Sequence, residues 1–200
     1  MRHGKLQRAG FPTLIAISTA IAATLACSPA VAQTQDGPTP TIQTSSPDPE
    51  PYCFGVGCPC GNDAPAAGCA NSSGNGVRLQ SYGSTSVAAN DLTLSITDLG
   101  HGSSHPYMIF MGGARSSVPF GDGLLCVGPG ATGLVRVKYN QAGAVSGSNF
   151  YIRYWNHIAG ENAEILAGST WFFQVWYRDP AGPCRTGFNL TNALKAQFVP

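Results

Sequence analysis

In DLTLSITDL, Leu92, Leu94 and Ile96 alternate with Thr93, Ser95 and Thr97. Period-two alternation of this kind marks a strand with one buried and one wet face. In GLVRVKYN, Val135, Val137 and Tyr139 face one way while Leu134, Arg136 and Lys138 face the other. YMIFMG, NFYIRYW and WFFQVWYR are dense in aromatic and branched side chains, which suit a pleated surface. Between them lie YGSTS, LGHGSSHP, PFGDG, VGPGATG, NQAGAVSGS and DPAGP, clusters of turn-forming residues. The pattern predicts about eight strands, at 77–82, 92–98, 107–112, 124–127, 134–140, 149–156, 170–178 and 193–199. Helical spacing of three to four is nearly absent. Short strands at even spacing with glycine-rich turns predict an all-β domain, a two-sheet β-sandwich of jelly-roll-like plan.

The N-terminal region follows a different logic. MRHGKLQRAG carries Arg2, Lys5 and Arg8 with no acidic residue, and Phe11 to Ala26 then runs apolar. A basic head, a short apolar middle and a small-residue cleavage site at SPAVAQ read as a secretory signal peptide over 1–32. The apolar run is shorter than the roughly 20 residues that span a bilayer, so no transmembrane span is expected. Cys27 follows Ala26, as in a lipoprotein signal, but Thr24 stands where such signals carry Leu or Val. Free secretion is therefore preferred to lipid anchoring through Cys27. Residues 33–51, QTQDGPTPTIQTSSPDPEP, hold almost nothing apolar and read as an extended linker. The folded domain is expected over 52–200.

The cysteines gain their meaning from export. Setting Cys27 aside leaves Cys53, Cys58, Cys60, Cys69, Cys126 and Cys184, an even number in a chain bound for a compartment where disulfides persist. Structural zinc wants C-x2-C pairs or histidines at ligand spacing, and thioredoxin-like chemistry wants C-x2-C beside a βαβ pattern. The order C-x4-C-x-C-x8-C supplies neither, so three disulfides are expected. Six cysteines allow fifteen pairings. The preferred arrangement keeps two bonds inside residues 53–69 and joins Cys126 to Cys184.

Charge narrows the partners. Charged residues make up 10% of the chain, against about 25% in ordinary domains, and no basic run is present. Nucleic acid is not expected as a partner, because phosphate binding needs clustered positive charge. The expected partner is the chain itself or another extracellular protein, with polysaccharide as the alternative.

Candidate chemistry is sparse. On strand 170–178, Trp171, Phe173, Val175 and Tyr177 form one face and Phe172, Gln174, Trp176 and Arg178 the other. If the first set is core, the second offers aromatic, amide and guanidinium groups to a sugar or a protein. If the strand is central, both faces are covered. Strand 149–156 repeats the question with Tyr151, Arg153 and Trp155. These seven residues are the candidate binding surface. His101 and His105 fall in a turn-like HGSSH, where their spacing says little about metal. Ser103, Ser104, His105 and Asp122 form no catalytic set without a nucleophile elbow. Glu161 and Glu164 resemble a carboxylate pair, but a loop before a strand explains them more simply. Asp63 and Asp122 sit in glycine-rich turns that could hold calcium, although Asp in such turns commonly caps its own backbone. No catalytic residue, resident metal or cofactor is expected.

YCFG, CPCGN, GCANSSGNG, FGDGLLC, WYRDPAG–PC and FNLTNAL, in this order, resemble a family of exported bacterial cysteine-rich β domains. The similarity covers roughly Tyr52 to Pro200. It implies a cysteine-stapled β domain outside the cytoplasm and carries over no catalytic residue. The segment between Cys53 and Cys58 is short, where relatives tend to insert a Gly/Ser-rich loop. The expected function is thus a non-catalytic secreted or cell-surface module with a structural, adhesive or self-assembly role. The alternative is a carbohydrate-binding module using exposed aromatic residues.

Overall fold

TWFFQVWYRD forms ten residues of unbroken strand and runs through the largest sheet. The computed structural model describes residues 49–97, 99, 106–140, 148–149 and 163–200. The expected signal peptide, linker residues 33–48, Tyr151, Arg153, Trp155, the mature histidines and Glu161 lie outside the described residues. In chain order the strands are β1 (Glu50–Tyr52), β2 (Arg78–Tyr82), β3 (Thr93–Thr97), β4 (Tyr107–Gly112), β5 (Ala114–Phe120), β6 (Gly123–Gly128), β7 (Val135–Asn140), β8 (Ser148–Asn149), β9 (Thr170–Asp179), β10 (Gly187–Leu190) and β11 (Ala193–Gln197). No α-helix occurs among the described residues. The fold is all-β.

Among the described residues the strands pair into three antiparallel sheets, where the sequence pattern predicted two. The largest follows the order β1-β11-β9-β4-β7, with β10 also paired to β9; β2-β3-β8 and the β5–β6 hairpin are separate. Alternation along β9 divides two cores. Trp171, Phe173, Val175 and Tyr177 join Leu79, Leu94 and Ile96 of the three-stranded sheet in one cluster. Phe172, together with the half-buried Trp176, faces the other way and packs with Leu124, Cys126 and Val127 of the hairpin. Side chains of this size contribute roughly 1.5–3 kcal/mol each when fully buried. A strand with two buried faces therefore anchors layers on both sides of the sheet.

Polar side chains complete the seams. Gln174 is fully buried and bridges three backbone groups: its Oε1 accepts from Cys126 N at 2.9 Å, and its Nε2 donates to Leu124 O and Thr191 O at 2.8 and 2.7 Å. Asn192 imitates a neighbouring strand for Leu79, accepting its N–H at 2.8 Å and donating to its carbonyl at 3.1 Å. Between β10 and β11, Thr191 takes over the ladder, its Oγ1 accepting from Val175 N at 3.1 Å. Buried groups paired in this way avoid the desolvation cost of an unsatisfied partner.

Three disulfides are present: Cys53–Cys126, Cys58–Cys69 and Cys60–Cys184. The preferred pairing is corrected by this result. One bond, not two, lies inside residues 53–69, and Cys126 pairs with Cys53 rather than Cys184. The segment following β1 crosses over the hairpin layer, so it brings Cys53 to β6 and Cys60 to the β9–β10 turn. A second boundary also moves. Glu50 and Pro51, expected in the linker, pair with β11, and Glu50 lies 3.4 Å from Arg115 and 3.5 Å from Lys195. Proline is tolerated there because β1 ends the sheet order.

Candidate functional site

The hairpin layer decides what remains open on the outer face of β9. Phe172 and Gln174 lie beneath it, 8% and 0% exposed, and cannot form a contact surface. Trp176 is half-buried and Arg178 is exposed. Of the two readings of this strand, the central one with both faces covered describes Phe172 and Gln174, while Trp176 and Arg178 stand beyond the hairpin's cover.

Trp176 lines a cleft of about 310 Å³ between the hairpin and the β4–β7 side of the large sheet. Its floor is Met108, Phe110 and Trp176, and its walls are Phe120 and Leu125 on one side and Leu134, Val135 and Arg136 on the other. The volume is at the small end of the range for ligand pockets. Phe120 and Leu134 remain 46% and 47% exposed, so the walls present apolar surface to solvent. Phe188 props them: its ring centroid lies 5.0 Å from Phe120 and 5.8 Å from Trp176. Arg136 is exposed and is the charged residue among those lining the cleft.

Local sequence sets this shape. β5 and β6 join through Gly121 and Asp122, with Phe120 paired to Gly123. Gly121 has φ +63°, as the first central position of a type II′ hairpin turn requires. A β-carbon there would also lie 2.2 Å from the Phe188 ring. Asp122, at the apex of the turn, is fully buried. Its carboxylate accepts from Cys184 N and Thr186 N, each at 3.1 Å, and from the Thr186 hydroxyl. The hairpin tip is thereby fixed to the β9–β10 turn, next to the Cys60–Cys184 disulfide.

The other carboxylates considered from sequence are similarly engaged. Asp63 Oδ1 accepts from Cys58 N at 2.8 Å and Oδ2 from Gly57 N at 3.2 Å. Those two backbone donors, Cys58 the stronger, hold its carboxyl below the usual range. Asp179 accepts from the backbone and hydroxyl of Ser72. Gly182 sits against both buried carboxylates, since a β-carbon on it would lie 2.1 Å from Asp122 Oδ2 and 2.7 Å from Asp179 Oδ2. Burial pushes the Tyr177 hydroxyl well above its usual range; Asp179 and Asp122 add to the shift and Asn71 opposes it. These oxygens serve the architecture. Among the described residues, no group of three or more His, Cys, Asp or Glu could hold a metal ion. Glu164 is exposed.

A second hollow, about 320 Å³, lies between the β1 edge and β2, lined by Pro49, Pro51, Arg78, Gln80, Ser81 and Tyr82 among others. Tyr82 is 60% exposed. Sequence reasoning overlooked Tyr82, Phe120, Phe188 and Leu134 as surface candidates. The signal was available for Phe120 and Tyr82, because each is an aromatic residue directly before a turn glycine. Nothing local marks Phe188 as their neighbour.

Among the described residues, no helix is long and apolar enough to cross a membrane, and the three disulfides fit an extracellular protein. Comparison of the chain with models of protein families, with curated proteins and with solved structures found no match.

Proposed function

We propose that this chain is a non-catalytic extracellular module that acts by contact, receiving apolar groups of a protein partner in the Trp176 cleft. The observation that carries the reading is a preformed cleft with solvent-exposed Phe120 and Leu134 walls above a half-buried Trp176. Disulfides, the fixed hairpin tip and the Gln174 bridge hold those walls in place before any partner arrives, which lowers the ordering cost of binding. Arg136 at the edge favours partners with negative charge. The resemblance to exported bacterial cysteine-rich β domains belongs to the same proposal, as do secretion behind a signal peptide and a role at the cell surface.

The test is binding of 8-anilinonaphthalene-1-sulfonate, an apolar anion, followed by its fluorescence. Saturable binding that is lost in Trp176→Ala and in Phe120→Asp supports the cleft as a contact site. Binding unaffected by either substitution removes it.

A carbohydrate-binding role is the second reading, and one observation favours it at a different place. Tyr82 stands exposed beside Arg78, Gln80 and Ser81, an aromatic plane next to hydrogen-bonding groups, as sugar stacking requires. The Trp176 cleft offers far fewer such groups. Retention on polysaccharide that disappears in Tyr82→Ala and survives in Trp176→Ala supports sugar binding at that hollow.

A further inference from the structure

The cleft combines aromatic walls, an apolar floor and a cationic edge. Grooves lined by aromatic side chains are suited to proline-rich segments, which bind in an extended form at small entropic cost. The chain contains such a segment. GPTPTIQTSSPD, residues 37–48, holds three prolines and one large apolar residue, Ile42. Between Gln33 and Pro49 its charged residues are Asp36 and Asp48, with no Lys or Arg. Arg136 lines the cleft, and Arg178 lies two residues beyond Trp176 on the same face of β9. The charges of Asp36, just before the segment, and Asp48, at its end, are thus complementary to the basic groups around the cleft.

The place where the segment ends selects its source. It runs into Glu50, in β1, at the end of the sheet order opposite β7. The hairpin stands between β1 and the cleft: Arg115 of β5 lies 4.5 Å over the Tyr52 ring and 5.8 Å over Phe172, while Phe120 and Leu125 of the same hairpin form the cleft wall. Glu50 pairs with Lys195 and Lys195 with Phe172, so the Glu50 end of β1 lies toward the Thr170 end of β9 and away from Trp176, which favours the cleft of a second copy. Head-to-tail insertion is heterologous, so it builds chains or closed rings instead of a two-fold dimer.

We propose that residues 37–48 of one copy occupy the Trp176 cleft of a second copy, making this module self-assembling. The inference rests on the cleft being a contact site and names its occupant. The test compares the chain beginning at Gln33 with the same chain lacking residues 37–48, by sedimentation velocity across a concentration series. A synthetic peptide of residues 36–49 is titrated into the deletion variant, with tryptophan fluorescence as readout. The expected result is concentration-dependent association of the longer chain, a monomeric deletion variant, and saturable peptide binding. Trp176→Ala should weaken that binding about 10-fold or more, as loss of an aromatic anchor does. Arg136→Glu, at an exposed position that leaves packing intact, should weaken it and reduce its salt dependence. Equal association with and without the segment overturns the proposal. So does a monomeric longer chain whose cleft is already closed to the peptide, which would place the segment in its own cleft. Failure of the peptide while 8-anilinonaphthalene-1-sulfonate still binds through Trp176 sinks the occupant alone; failure of both sinks the cleft.

Discussion

Replacing Gln174 with Leu separates architecture from surface more sharply than any other single change. The side chain is fully buried and makes three hydrogen bonds to backbone groups of β6 and the β10–β11 junction. Leu has similar bulk but leaves Cys126 N–H, Leu124 C=O and Thr191 C=O without this partner. Each buried group so deprived costs roughly 1–3 kcal/mol, and the added apolar burial returns about 1 kcal/mol. A net loss of about 2–8 kcal/mol follows from the three groups, which for a domain of this size lowers Tm by roughly 4–30 °C. Urea unfolding of the oxidised protein, followed by intrinsic fluorescence, measures it directly. Gln174→Glu offers a control with a pH signature. It keeps an acceptor for Cys126 N but sets carboxylate oxygen against two carbonyls, which raises its pKa, so its penalty shrinks as pH falls and the proton returns. A stability change in Gln174→Leu smaller than about 0.5 kcal/mol, the range of neutral surface substitutions, would refute the bridging role and return Gln174 to the surface.

Three further outcomes are expected. Gly121→Ala should destabilise by about 1–3 kcal/mol and alter Trp176 emission, because φ is +63° and the new methyl meets Phe188; unchanged emission and stability would contradict the turn assignment. Removing Cys60–Cys184, which closes 124 residues of chain, should cost more than removing Cys58–Cys69, which closes 11. Chain entropy gives about 4.9 against about 2.8 kcal/mol before relaxation, and paired Cys→Ser variants in thermal unfolding would expose the reverse order. Burial raises the Tyr52 hydroxyl pKa, with Arg115 opposing, and Tyr52 OH donates to Cys126 O at 2.8 Å. A raised folded pKa gives stability that is whole below the ordinary tyrosine value and lost as pH climbs beyond about 10. Tyr52→Phe should flatten that alkaline loss in a stability–pH series, and an unchanged slope would count against it.

The sequence was most readable where period-two alternation coincides with one buried face. Strand β4 falls where the pattern placed it, and β2, β3, β6, β7, β9 and β11 differ from it by one or two residues at their ends. β5 was missed because ARSSVPF lies on the outside of the hairpin, largely exposed, and so carries no apolar rhythm; Pro119 further disguises it. β10 was missed because GFNL resembles turn sequence. Its Asn189 is fully buried and donates to Cys69 O and Ala70 O at 3.2 and 3.1 Å, a partner set no local pattern reveals. The third sheet follows from the same omission. Without β5 there is no hairpin layer, and the outer face of β9 looks open. Phe172 and Gln174 then look available when they are covered. Disulfide pairing failed for a similar reason, since pairing depends on which segments cross in space, and spacing alone favoured the nearest cysteines. Trp176 was found from alternation, whereas Phe120, Leu134 and Phe188 meet it only through the fold.

The central claim is that three crossed staples hold a layered β domain in which the Trp176 cleft is already formed. Peptide mapping of unreduced protein by mass spectrometry tests it most directly. Linked peptides joining Cys53 to Cys126, Cys58 to Cys69 and Cys60 to Cys184 are the result this account predicts. Free thiols among these six, or a Cys126–Cys184 peptide, would contradict it.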